Sequence, residues 1–355
     1  MIGWVAPTDF DWYSFLAGQD SFEEVNFWRP SAARQSKADL YSPFFFKLKA
    51  PHNAICGFGF FAGYSALPIW LAWEAFGTAN GRQNRAIMNS RIEEIRRRIG
   101  YHGSGPSDQI GCILIVNPTF FSKHEWIPQP RDWPPANLIA MRYDLENGEG
   151  QRIWLACLER AFHRNPAIVA SDSRRFGTPS LIRPRLGQGT FRIYVTDAYA
   201  RACAVTNEHS LPALEAAHIR PYTDEGPHSV QNGLLLRADF HRLFDQGYVT
   251  VSPDLRLQVS RRLREDYENG RTYYPFDGHR LNVPADPRLR LAPERTELGG
   301  LLGLGKDAFL AAPTRFLGDR SRLPFLSDSG EEDGLTVAKF SDEGKLSPHC
   351  LHVFT

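Results

Sequence analysis

Hydrophobic and polar positions in the first part of the chain alternate between two periods. Phe44-Phe45-Phe46-Lys47-Leu48 and the run AICGFGFF over 54–61 are short, aromatic-rich segments. Lys49-Ala50-Pro51-His52-Asn53 joins them with turn chemistry, so the pair predicts a β-hairpin. Glycines at 57, 59 and 63 predict bulges or close backbone approach. Residues 69–76 predict a short helix. Over 82–99 the spacing is helical: Met88, Ile92, Ile95 and Ile99 share one face, and Arg82, Arg85, Arg91, Arg96, Arg97 and Arg98 lie mostly off it. Gly100 ends that helix. The run IGCILIV over 110–116 predicts a fully buried strand, and Trp126, Pro128, Pro130 and Trp133 an aromatic, proline-rich loop.

The pattern breaks in the middle of the chain. Over 171–192, SDSRRFGTPSLIRPRLGQGTFR carries Arg174, Arg175, Arg183, Arg185 and Arg192 among prolines and glycines. The region 151–190 therefore reads as a basic linker, with Thr190–Val195 as a strand at its end. Thr196 or Asp197 then caps a short helix reaching Cys203. A strand over 214–219, a loop over 221–231, a second strand from Asn232-Gly233 and a helix over 237–246 follow. A short β extension comes after Val251. From Glu297 on, the Gly-, Ser- and Asp-rich sequence predicts a loosely structured tail. The expected divisions are 1–150, 151–190, 191–296 and 297–355.

Composition narrows the partners. At 355 residues and 42% hydrophobic, the chain can hold two or three domains and a substantial core. Lys and Arg number 41 against 40 Asp and Glu, a net charge of +1, so any basic surface must be local. Cys56, Cys112, Cys157, Cys203 and Cys350 are scattered without a CxxC pair, which suggests neither a disulfide framework nor a zinc ribbon. The first residues do not read as a signal peptide, and no run of 18 apolar residues suggests a membrane span. These features predict a soluble, cytoplasmic protein without a membrane partner. Gly300 to Asp307 nearly spells a P-loop, but Asp307 replaces the magnesium-holding hydroxyl and no strand precedes it.

The chemistry concentrates in the strand–loop–strand–helix stretch over 214–251. His218 is followed by Asn232 fourteen residues on, His241 nine further and Asp245 four further. A neutral imidazole at a strand end can take a proton from water. Two ligands at i and i+4 on a helix reach one metal ion and leave room for water and phosphate oxygens. His209 and His228 read as ordinary loop histidines. This arrangement resembles the HNH nuclease family, whose ββα unit holds one divalent metal against a phosphodiester. The resemblance implies His218 as general base, Asn232 as its brace, and His241 and Asp245 as metal-binding positions. Glu215 matches an acidic position with a secondary role in some members. Many members carry a metal ligand just before the base, where this chain has Ala217. The cofactor implied is one Mg²⁺ or Mn²⁺ per site, with no organic cofactor.

The elements Phe27-Trp28-Arg29-Pro30, FFFKLK, AICGFGFF, the 110–116 strand and the Trp/Pro loop resemble a PUA-superfamily barrel of the EVE type. That resemblance implies a pocket for a flipped, modified base, with Trp4, Trp12, Trp28, Phe45 and Trp126 as stacking candidates or, alternatively, core residues. Arg174, Arg175, Arg183, Arg185, Arg220 and Arg237 are candidate phosphate contacts or solvated arginines. The expected fold is α+β, with an N-terminal PUA-like β-barrel and a C-terminal ββα-metal domain. The expected function is modification-dependent cleavage of double-stranded DNA, with a modified cytosine as the favoured mark; one site cuts one strand, so a double-strand break implies a homodimer or two binding events. Two alternatives are a reader with a degenerate nuclease site, and an HNH nuclease whose N-terminal domain senses phosphorothioate DNA or a partner.

Overall fold

The computed structural model describes residues 1–19, 21–33, 38–101, 109–135, 140–164, 186–219 and 229–291. The architecture is α+β. The N-terminal half is built on a sheet of β1 (Ile2–Thr8), β2 (Glu24–Arg29), β3 (Pro43–Leu48), β4 (Ala54–Pro68), β5 (Gln109–Phe120), β6 (Ile127–Pro128) and β7 (Met141–Asp144). Its order is β2-β5-β4-β3-β1-β7, with β6 paired to the start of β4. Only β1 and β3 run parallel; their register sets Trp4 opposite Phe44. Among the described residues β2 and β7 end the sheet, so the expected closed barrel is an open sheet, bent where β4 bulges.

The bending has a sequence cause. β4 is fifteen residues long, and its register on β5 shifts between Phe58 and Phe60 and again between Phe61 and Gly63. A Cβ at Gly57 would sit 2.3 Å from the Thr119 carbonyl oxygen, and one at Gly59 2.4 Å from Ile115 Cγ2. Only glycine lets the two strands approach so closely at their bulges.

Helices cover the sheet as the periodicity predicts, with one exception. α1 (Phe10–Ala17) buries Trp12, Tyr13 and Leu16, and α2 (Ile69–Phe76) buries Leu71, Ala72 and Phe76. In α3 (Arg85–Arg98) the Asn84 side chain caps the Ile87 N–H at 3.0 Å, and Met88 and Ile92 face inward while Ile99 beyond it is 57% exposed. Arg96 is buried because its Nε donates to the Pro30 carbonyl at 2.8 Å. The exception is α4 (Gly148–Arg164), a 17-residue helix where a linker is expected. Ile153, Trp154, Cys157, Leu158 and Ala161 form its buried stripe, and Trp154 packs edge-on against Phe45 and Phe58. The first 14 residues of the expected linker therefore belong to the N-terminal core.

The second core begins with another departure. Residues 190–195, expected as a strand, lie inside helix α5 (Gln188–Ala198). Phe191 and Val195 face one core and Ile193 the other, so α5 is shared by both halves. The antiparallel pair β8 (Leu214–His218) and β9 (Gly233–Arg237) then leads directly into α6 (Ala238–Asp245). The hairpin of β10 (Val249–Val251) and β11 (Leu257–Val259) and a short α7 (Arg262–Tyr267) close this core. Among the described residues no helix is long and apolar enough to cross a membrane. The described cysteines, Cys56, Cys112, Cys157 and Cys203, are all free and buried. The near-P-loop and the tail lie outside the described residues.

Candidate active site

β8 and β9 pair in a register that sets His218, the last residue of β8, opposite Gly233. Asn232 therefore sits one step beyond the pair, in a tight turn, and is fully buried. Its carbonyl accepts from the Ile219 N–H at 2.9 Å, and its own N–H donates to Ser229 at 2.8 Å. The brace implied for Asn232 thus has a backbone component: it holds the chain immediately after His218. The His218 ring lies flat on Phe191 of α5, with centroids 3.8 Å apart and planes 12° apart.

α6 carries the other two positions. His241 and Asp245 are four apart on one helical face, and His241 Nε2 lies 3.3 Å from Asp245 Oδ2. The opposite ring nitrogen, Nδ1, is 2.7 Å from Glu215 Oε2 on β8. An ionised carboxylate only accepts, so this short contact places the imidazole proton on Nδ1. In the neutral ring the Nε2 lone pair would face the Asp245 carboxylate, and the two could hold a cation between them. The 3.3 Å spacing is close to the ~3 Å between neighbouring ligands of an ion with bonds of ~2.1 Å. The donor set, one imidazole and one carboxylate, fits a divalent ion. Among the described residues no group of three or more His, Cys, Asp or Glu could share one. Ala217 is fully buried in the position where a third ligand is often found. Burial raises the Asp245 carboxyl above its ordinary range; His241 pulls it down and Glu215 pushes it up.

Of the phosphate candidates, Arg174, Arg175, Arg183, Arg185 and Arg220 lie outside the described residues, as does His228. Arg237 forms a two-pronged pair with Asp239, 2.7 Å at each prong, and lies over the Phe240 ring. That pair raises the Arg237 pKa and lowers that of Asp239.

A second concavity, of about 1230 Å³, opens beside the N-terminal sheet. Trp12 and Trp28 line it, as does Trp133 from the proline-rich loop. Trp28 Nε1 donates to the Asn80 carbonyl at 2.9 Å, which fixes its ring. The other stacking candidates lie elsewhere. Phe45 is core, 1% exposed; Trp4 lies under Arg142; and Trp126 joins Tyr13 and His52. Asp9, Lys47, Lys49, Arg29 and Arg98 add charge to the cleft walls. Lys47 is only 5% exposed; its Nζ donates to Asn53 Oδ1 at 3.1 Å and sits over the Trp133 ring. Burial lowers the Lys47 pKa. Burial opposes ionisation of Asp9, but its bond to Lys49 at 2.5 Å and the charges of Arg91 and Arg82 hold the carboxyl below its ordinary range.

Sequence reasoning did not single out Phe191, Lys47 or Trp133 as site residues. For Trp133 the signal was a tryptophan followed by two prolines, a rigid presentation of an aromatic ring. For Phe191 and Lys47 no local signal exists, because their partners are 27 and 86 residues away.

Residues 203–252 match the HNH endonuclease family (HNH_2). The matched segment spans β8, β9 and α6. No curated protein sequence matches the chain. Among solved structures, the ASCH protein of Zymomonas mobilis is 12% identical, covering 43% of this chain and 94% of its own, with a TM-score of 0.30. The modification-dependent TagI restriction endonuclease is 12% identical, covering 83% of this chain and 79% of its own, with a TM-score of 0.24.

Proposed function

With an HNH endonuclease domain over 203–252 as the premise, we propose that this chain is a metal-dependent endonuclease that cuts double-stranded DNA carrying a modified base. The observation that carries this reading is the Glu215–His241–Asp245 constellation on the matched ββα unit, with His218 at the end of the same strand. His241 and Asp245 would hold a divalent cation, Mg²⁺ or Mn²⁺, which supplies charge neutralisation at the phosphate. The chain's own residues do the rest. His218 removes the proton from the attacking water. Asn232 holds the strand end on which His218 stands. Glu215 keeps the His241 proton on Nδ1, so that Nε2 keeps its lone pair for the cation.

The cleft lined by Trp12, Trp28 and Trp133 is the proposed pocket for the modified base, a modified cytosine being the first choice. Trp28 and Trp133, both only partly buried, suit stacking, Trp12 backs the cleft as a core residue, and Lys49, Arg29 and Arg98 suit the flanking phosphates. The arginines near residues 174–185 would add phosphate contacts. One ββα site cuts one strand, so a double-strand break would take a homodimer or two encounters. The setting would be cytoplasmic.

The deciding experiment compares cleavage of matched DNA carrying unmodified, methylated, hydroxymethylated or glucosylated cytosine, or a phosphorothioate backbone, with Mg²⁺ and with Mn²⁺. Preferential cutting of one modified-base substrate is expected. Equal cutting of all five removes base recognition from the reading. His218→Ala should abolish cutting and leave DNA binding intact. Wild-type cutting by that variant overturns the assignment of the base.

A further inference from the structure

We infer that Phe191 is a positioning residue for the proposed general base, and that through α5 the N-terminal half sets the orientation of His218. The inference rests on the reading of His218 as base. Its physical content is independent of that reading: the ring of His218 is held by a residue that does not belong to the ββα unit.

Phe191 is 1% exposed, and its ring lies against that of His218, stacked at 3.8 Å. A Cβ at Gly233 would come within 3.0 Å of Phe191 Cζ and 2.4 Å of Val195 Cγ2, so β9 lies close to the phenyl ring and to the next turn of α5, with no room for a side chain between them. Gly233 is the residue opposite His218 in the β8–β9 register. The phenyl ring is thus held between the helix that bears it and the strand that pairs with the base. A flat neighbour of this kind restricts imidazole rotation without occupying either ring nitrogen. A base suits that combination, because its ring nitrogens serve hydrogen bonding and proton transfer.

The other side of α5 is fastened to the N-terminal sheet. Glu24 on β2 accepts from the Gly189 N–H at 2.6 Å and the Thr190 N–H at 3.0 Å, and also from the Thr190 hydroxyl. These are first-turn amides that a helix leaves unpaired, so Glu24 caps α5 from the N-terminal sheet. Ser65 on β4 donates to Asp197 at 2.7 Å near the other end of the helix. Arg192 pairs with Glu74 at 3.0 Å, and Arg201 reaches the Ala66 carbonyl at 2.8 Å. A Cβ at Gly63 would sit 2.0 Å from the Tyr194 hydroxyl oxygen, so the Tyr194 side chain of α5 reaches the β4 backbone at this glycine. Contacts at both ends and in the middle fix α5 against translation and rotation. Phe191 follows the capped Thr190 directly. A shift of β2 relative to the nuclease unit is therefore carried to the ring on which His218 rests.

The test uses the full chain, supercoiled plasmid with Mn²⁺, and three variants: Phe191→Leu, Glu24→Gln and His218→Ala. The readouts are the single-turnover nicking rate, Kd for duplex DNA, and the His218 ring-proton resonances, assigned by their loss in His218→Ala. In the wild-type chain those protons should lie upfield, in the shielding cone of the phenyl ring. In Phe191→Leu they should return toward ordinary positions and the nicking rate should fall ten- to a hundredfold, as misplacement of a catalytic group by about 1 Å does. Kd should stay unchanged. Glu24→Gln should move the resonances and the rate in the same direction by a smaller factor. Unshifted ring protons in the wild-type chain overturn the inference even if Phe191→Leu fails to fold. So does a Phe191→Leu chain that nicks at the wild-type rate while His218→Ala is dead. If His218→Ala itself nicks normally, the assignment of the base has failed, and the inference with it.

Discussion

At the scale of single residues, the candidate metal site turns on which nitrogen of His241 carries the proton. Glu215, 2.7 Å from Nδ1, bears on this, and in the sequence it matched an acidic position of the HNH family without showing its contact to His241. Its removal should release the imidazole to adopt either tautomer. Glu215→Ala is expected to weaken Mn²⁺ binding about ten- to a hundredfold, the usual effect of losing such an outer partner. Glu215→Gln, which can still accept through its amide oxygen, should lose less. Calorimetric titration with Mn²⁺ in the absence of DNA checks both, and equal affinity in all three proteins would remove Glu215 from the site. The ββα unit that carries His218, Asn232, His241 and Asp245 was legible because it is local: 32 residues, Leu214 to Asp245, contain its strands, loop and helix. The N-terminal cleft was less legible. Aromatic rings read the same in sequence whether they fill a core, as Phe45 does, or line a cleft, as Trp28 does.

At the scale of elements, two segments went against local reading, for different reasons. α4 was legible in principle. Ile153, Trp154, Cys157, Leu158 and Ala161 have helical spacing, which the arginine- and proline-rich residues that follow obscured. Its packing rests on Trp154, and Trp154→Ala should cost about 3–5 kcal/mol by urea denaturation, the usual range for an aromatic lost from a core. Residues 190–195 were not legible. Thr, Phe, Ile, Tyr and Val favour strand, and they form a helix because both faces of that helix are buried and Glu24 caps it from a strand 165 residues away. Burial raises the Glu24 pKa above its ordinary 4.5, against the lowering effect of the Thr190 and Gly189 hydrogen bonds. The folded chain therefore binds this proton more tightly than the unfolded chain. The stability that Glu24 contributes is greatest at low pH and is lost as pH rises through its raised folded pKa. Glu24→Gln cannot ionise and should flatten that part of the profile, measured as urea midpoints just above pH 4.5 and near neutrality. An unchanged slope would mean that Glu24 titrates as it does in the unfolded chain.

At the scale of the whole molecule, the two cores share one helix. A Cβ at Gly189 would lie 2.4 Å from the Ala75 carbonyl oxygen, so Gly189→Val should push α5 away from α2. The expected result is loss of cooperativity: one calorimetric transition in the parent and two in the variant. A single transition at an unchanged temperature would show that the halves are not coupled through this helix. The sequence alone pointed to an HNH endonuclease, which the family match over 203–252 bears out. From Arg201 to Arg262 it also showed seven arginines against seven acidic residues, so attraction to DNA had to come largely from elsewhere. It determined the β3–β4 hairpin, α2, most of α3 and the ββα unit, since each depends on residues close together in the chain. Tertiary structure alone decided that the sheet stays open, which tryptophans line the cleft, that residues 188–198 are helical, and that His218 rests on Phe191. Each of these depends on residues far apart in sequence meeting in a packed interior, where burial and long-range hydrogen bonds outweigh local preference.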